Sequence, residues 1–209
     1  MHQLTGLDAS FLYMETANAP MHISGLAIYD QSTAPNGKVR FKDVIAHFNE
    51  RIRPIPTMTR RLVEVPFALD HPYWVSDGNF DPEFHVRHIA LPKPGDWRQL
   101  CILISRLHAR PLDRSRPLWE VYIIEGLDKV EGVPKGSFAV FSKTHHAAID
   151  GSSGAEITAA THDLTPDYTA PRTPAVVRVD SQPSRSELIL RAQINNIRKP
   201  FNFISVARN

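Results

Sequence analysis

The stretch SKTHHAAIDG, residues 142–151, concentrates the residue types that do chemistry: two adjacent histidines, His145 and His146, then Asp150 and Gly151. Three chemistries compete for it. As metal ligands, His and Asp are both competent. Adjacent residues on a strand, however, point to opposite faces. His145 and His146 then meet at one ion only if the chain bends between them, and helical zinc motifs avoid that problem by spacing their histidines a full turn. No metal is expected. As packing residues, the two face opposite ways, so one of them is expected to be structural. As an acid–base group, a histidine at a strand end projects rigidly into a cleft and accepts a proton near neutral pH. Asp150 lies beyond a turn of Ala147, Ala148 and Ile149, where it orients the imidazole or pairs with an arginine that pins the loop. Gly151 lets the backbone turn sharply beside a channel, and the small residues leave room for a bulky substrate.

The elements that must position this motif are legible in the surrounding pattern. A first helix is expected over residues 8–15 with Asp8 as its cap, and a strand over MHISGLAIYD before a turn at APNGK. RFKDVIAHFNERIR places Phe41, Val44, Ile45, Phe48 and Ile52 on one helical stripe, stopped by Pro54. Short strands are expected in RRLVEVPF, YWVSD and EFHVRHIALP. The next helix, DWRQLCILISRLHAR, is capped by Asp96 and stopped at Pro111. LWEVYIIEGL and GSFAVFSKTHH read as strands buried on both faces, and SSGAEITAATHDL as a small-residue helix. The globular part is therefore mixed α/β, with one domain over 1–165. Residues 166–183, with Pro166, Pro171, Pro174 and Pro183, read as a linker or crossover. Residues 184–209 form an amphipathic helix with a Ser184–Glu187 capping box, ended by Pro200. Leu190, Ile194 and Ile197 share its apolar stripe, edged by Arg191, Arg198 and Lys199. The stripe is expected to pack against a second lobe, with a lipid surface as the alternative.

Bulk properties narrow the classes further. The 209 residues are 42% hydrophobic, enough for a sizeable core, and no run is long and apolar enough to span a bilayer. The formal net charge of +2 is uneven, −3 over residues 1–170 and +5 over 171–209. The globular part thus has no basic face for nucleic acid, and no Gly-rich phosphate loop is present. Cys101 is the single cysteine, so no intramolecular disulfide forms, and no secretory leader is expected at the N-terminus. Both fit a cytoplasmic protein.

HHAAIDG resembles the active-site motif of the bacterial wax ester synthase/diacylglycerol acyltransferase family. MHQLTGLDASFLYMET, FDPEFHVRHIALP and PLDRSRPLWEVYIIEGL resemble further blocks of that family in the same order. The resemblance runs from residue 1 to about residue 167, which is more specific than the motif alone. It implies the N-terminal lobe of a two-lobe chloramphenicol-acetyltransferase-like fold. It also implies transfer of a fatty acyl group from acyl-CoA to diacylglycerol or a long-chain alcohol, with acyl-CoA as co-substrate and no bound cofactor. By this resemblance His146 is the general base, Asp150 is mainly structural and His145 is supporting. Pro117, Leu118, Trp119 and Glu120 support the fold and the acyl pocket. Family chains are about twice as long, so a C-terminal lobe is the expected partner, and contact with the inner membrane or lipid droplets is a further expectation. Two other readings stay open: a related HxxxD transferase with another acceptor, and a non-catalytic acyl-binding lobe.

Overall fold

The computed structural model describes residues 1–149, 153–165 and 181–206. In chain order the elements are β1 (His2–Gln3), α1 (Gly6–Met14), β2 (His22–Tyr29), α2 (Phe41–Ile52), α3 (Pro56–Thr59), β3 (Arg60–Val63), β4 (Tyr73–Ser76), α4 (Pro82–His85) and β5 (Val86–Ala90). They continue with α5 (Trp97–His108), β6 (Trp119–Glu125), β7 (Phe138–His145), α6 (Ser153–Thr161) and α7 (Arg185–Val206). A 3₁₀ turn, His146–Ala148, follows β7 directly. The main sheet has the order β2-β7-β6-β5, with β7 antiparallel to both neighbours and β5 parallel to β6. A smaller antiparallel sheet has the order β1-β4-β3.

The two faces of the main sheet are covered differently, and this difference creates the site. On one face, α5 lays Leu100 and Leu107 onto Tyr122, Ile124, Ala139 and Phe141. The Asp96 carboxylate accepts the Gln99 N–H at 2.9 Å and so starts that helix. Cys101 is exposed on α5. On the other face, α2 packs its expected stripe, Phe41, Val44, Ile45, Phe48 and Ile52, against Trp119, Val121 and Ile123.

The strand β6 is buried along its length except at Glu125, but β7 alternates. Ala139, Phe141, Lys143 and His145 are buried, whereas Val140 and Thr144 are half-buried and Ser142 is exposed. The expectation that both faces of β7 are covered is corrected: a strand flanked on both sides in its sheet still has one open face.

Local chemistry moves several expected boundaries. Thr5, not Asp8, caps α1; its hydroxyl accepts the Asp8 N–H at 3.2 Å and donates to the Asp8 carboxylate at 2.7 Å. The expected strand EFHVRHIALP begins as the one-turn helix α4, because Asp81 accepts the Glu83 N–H and Pro82 occupies the first helical position. Ser184 caps α7 through the Glu187 N–H at 3.1 Å, but the helix runs past Pro200 to Val206 instead of ending there. A face of α7 other than the stripe docks on this lobe. Leu188 and Ala192 pack on Val65, Tyr73 and Val75, and Asn195 donates to Gln3, Asp70 and Tyr73. Leu190, Ile194 and Ile197 remain exposed. Most of the 166–183 segment lies outside the described residues.

Candidate active site

The two histidines of the motif have different environments because the strand ends between them. His145 is the last residue of β7 and is fully buried. Its N–H donates to the Leu118 carbonyl at 3.0 Å, fastening it to the end of β6. Its Nδ1 accepts the Ala147 N–H at 3.0 Å, so the neutral ring carries its proton on Nε2. That Nε2 faces the Glu15 carboxylate at 3.6 Å, longer than a hydrogen bond. Burial pushes the His145 imidazole down to about 4, against the pull of Glu15. His145 is thus a neutral ring that caps the turn from inside, with no access to substrate.

His146 opens the 3₁₀ turn and is half-buried. Its N–H donates to the Met21 carbonyl at 2.9 Å, and its carbonyl accepts the Ile149 N–H at 3.2 Å. The ring stacks on Phe11 of α1, with centroids 4.6 Å apart and planes 15° apart. Among the described residues no hydrogen bond engages either ring nitrogen. The backbone and one face of the ring are therefore held in place. The two imidazoles diverge, one beneath Glu15 and the other on Phe11. Asp150 and Gly151, the other two motif residues, lie outside the described residues.

A residue that local spacing does not reveal ties this turn to α1. Glu15 is buried just past the end of that helix and accepts from Arg114 Nε at 3.0 Å and Nη2 at 2.6 Å. Arg114 also donates to the Leu12 carbonyl at 2.8 Å, where a helix C-terminus favours a cation. The other Glu15 oxygen accepts the Met21 N–H at 3.2 Å, and the Met21 carbonyl receives His146. Burial alone would raise the Glu15 carboxyl, but the Arg114 hydrogen bond, the Met21 amide and the neighbouring charges hold it below its ordinary range. Only the fold shows that Glu15 and Arg114, far apart in sequence, meet beneath the histidines.

The PLWE block supports the same turn from below. Pro117 is buried at the start of the block. Leu118 packs against Ala147 and Ala148. Trp119 is 1% exposed, donates from Nε1 to the Met58 carbonyl at 2.8 Å and stacks on His85 at 4.4 Å. Glu120 points to the opposite face, where it accepts from Tyr122 at 2.6 Å and lies 3.5 Å from Lys143 and 3.3 Å from Arg87. Lys143 is fully buried and donates to the Leu107 and Arg110 carbonyls at 3.0 and 2.8 Å, anchoring the end of α5. Burial lowers the Lys143 ammonium and raises the Tyr122 hydroxyl.

The open face of β7 forms the floor of a cavity of about 430 Å³. Its walls come from β2, α6, Trp119 and Val121, and its near end from Thr144 and Ile149, which flank the turn bearing His146. The His146 ring itself lies outside this lining. A second cavity of about 360 Å³ adjoins at the far end, against α2. The two share Tyr29, Phe48, Val140, Thr161 and His162. Among the described residues no group of three or more His, Cys, Asp or Glu stands ready to hold a metal ion.

This architecture is a lobe of the chloramphenicol-acetyltransferase-like fold with an HHxxxDG motif at the end of a central strand. Residues 4–209 match the wax ester synthase/diacylglycerol acyltransferase catalytic domain, and the chain belongs to that family. A Mycobacterium tuberculosis H37Rv protein named as a diacylglycerol O-acyltransferase is 38% identical over 82% of this chain and 33% of its own length. A second from the same strain is 36% identical over 91% of this chain and 66% of its own. Among solved structures, the wax ester synthase/diacylglycerol acyltransferase from Marinobacter aquaeolei VT8 aligns with a TM-score of 0.57 and 35% identity, over 74% of this chain and 36% of that one. The first condensation domain of the calcium-dependent antibiotic synthetase shares the fold at a TM-score of 0.57 and 16% identity. The chain thus spans a third to two thirds of the length of these curated relatives.

Proposed function

We propose that this lobe carries the general base and the acyl site of an O-acyltransferase that moves a fatty acyl group from acyl-CoA to diacylglycerol or a long-chain alcohol. The observation that carries this reading is the apolar cavity that starts at the His146 turn. It offers a long alkyl chain an apolar bed and ends at Thr144 and Ile149, which flank the turn that carries the imidazole. His146 takes the proton of the acceptor hydroxyl as that oxygen attacks the thioester carbonyl. The tetrahedral oxyanion collapses, and the CoA thiolate leaves. A thioester is already activated, so transfer within a ternary complex needs no acyl-enzyme and no cofactor besides acyl-CoA. Asp150 holds the loop after the turn.

The lobe works with a second lobe that supplies the opposite wall of the channel. It meets its water-insoluble substrates at a membrane or lipid-droplet surface from the cytoplasm. Supporting this, Leu190, Ile194 and Ile197 are exposed beside the exposed Arg191 and Arg198, a pattern suited to anionic head groups. Among the described residues no helix is long and apolar enough to cross a membrane.

The test is ester formation from palmitoyl-CoA with diacylglycerol or hexadecanol, with the second lobe present. Ester that disappears in His146→Ala supports the assignment. Turnover only with another class of acceptor changes the substrate, and acyl binding without turnover under any condition overturns the enzymatic reading.

A further inference from the structure

The two adjoining cavities meet at a pair of side chains that neither the motif nor the proposed chemistry uses. Tyr29, the last residue of β2, hydrogen-bonds His162, the residue after α6, and the two rings stack with centroids 5.8 Å apart. Each partner is held from behind. Tyr29 stacks on Phe138 at 5.4 Å with planes 17° apart. His162 Nδ1 lies 2.9 Å from the Thr158 carbonyl. A carbonyl only accepts, so Nδ1 carries the proton and Nε2 is left to accept from the Tyr29 hydroxyl. Burial raises the Tyr29 hydroxyl above its ordinary range, which keeps it a donor. The bond therefore forms a strut between the edge strand and the end of α6, located where the cavity beside the His146 turn gives way to the cavity against α2.

We propose that the Tyr29–His162 strut sets the length of alkyl chain this lobe accepts. With the bond intact, a chain entering from the His146 end fills the first cavity and stops. With the bond open, it continues into the second, over Phe48 and Val140. The distance along β7 from Thr144 to Phe138 gives the scale: six residues at about 3.3 Å each span roughly 20 Å. Tyr29 pairs in register with Phe138, so the strut stands at the far end of that path, and it divides chains that end within the first cavity from chains long enough to reach beyond it. This inference rests on the acyl site proposed above, not on the catalytic role of His146.

The experiment is equilibrium binding of saturated acyl-CoAs, from hexanoyl to tetracosanoyl, to the wild-type chain and to Tyr29→Phe, Tyr29→Ala and His162→Leu. Tyr29→Phe removes one hydroxyl and keeps the ring on Phe138, so it separates the strut from general packing. In the wild type, affinity should rise roughly fourfold for each methylene that enters the first cavity and then level off. In all three variants the levelling point should move to longer chains by several methylenes, whatever the absolute affinity. The same levelling point in wild type and Tyr29→Phe overturns the proposal, as does an affinity independent of chain length. Parallel ester assays keep the two readings apart. A moved levelling point without ester leaves the strut standing and removes the transferase, whereas ester with an unmoved levelling point does the reverse.

Discussion

His146 and His145 are neighbours with opposite assignments, and each assignment makes its own prediction. His146→Ala should lower turnover by roughly two to four orders of magnitude, the range for loss of a general base. Turnover within a few-fold of wild type would remove the assignment. His145 affects stability instead. Its ring falls from an ordinary 6.5 to about 4 in the folded state. The unfolded chain therefore binds more protons between those values, and folding weakens as pH falls through that window. The effect is of order 3 kcal/mol, fully present as stability above about pH 6.5 and lost towards pH 4. The depressed Glu15 carboxyl acts in the same direction at the acid end. Melting temperature followed from pH 7 to pH 4 should drop steeply in wild type and less steeply in His145→Gln; equal slopes would contradict the buried neutral ring. Glu15→Gln keeps an acceptor for Met21 but loses the charge that binds Arg114. It should reduce kcat by roughly ten- to a hundredfold through misplacement of His146, with KM little changed. A pure loss of folded protein, with kcat per folded molecule intact, would make Glu15 structural only. At this scale the sequence shows the motif, because its residues are contiguous. It hides Glu15, Arg114 and Phe11, which reach the motif only through tertiary contact.

Periodicity marks elements well where one face is covered. The stripes of α2 and α5 pack as their spacing implies, and the start of α5 follows a cap that can be read, Asp96. Periodicity fails for β7, whose composition resembles that of β6, because whether a neighbouring layer fills the space above a strand is decided by other elements. It also misplaces the start of α1, where Thr5 competes with Asp8 and wins the cap. The PLWE segment shows how one strand serves two faces: Trp119 looks to the cavity side and Glu120 to the buried Lys143 beneath α5. Trp119→Ala should cost roughly 3–5 kcal/mol, since it removes a buried indole together with its hydrogen bond to Met58 and its stack on His85. Urea denaturation measures this. A loss below about 1 kcal/mol, accompanied by an altered acyl-chain profile, would make Trp119 a substrate contact rather than a support.

For the molecule as a whole, α7 is held to this lobe by a face other than its apolar stripe. Its apolar stripe is outward, and a smaller face carrying Leu188, Ala192 and Asn195 holds it to the second sheet. Leu188→Ala should destabilise by roughly 2–5 kcal/mol, while Ile194→Ser should stay within about 0.5 kcal/mol. Equal effects would mean that the stripe is covered. Flotation of anionic liposomes tests the surface role: binding lost in Arg191→Glu with Arg198→Glu, at unchanged melting temperature, supports it, and unchanged binding removes it. The main sheet also partitions the molecule chemically. Cys101 is exposed on α5, across the sheet from the cavity, and it is the single thiol. A maleimide fluorophore would therefore attach at one known point without entering the cavity on the open face of β7. Energy transfer from that label to a dye-tagged acyl chain could then follow ligand entry in real time, and inhibition by a thiol reagent would report disturbance of α5 rather than a nucleophilic cysteine.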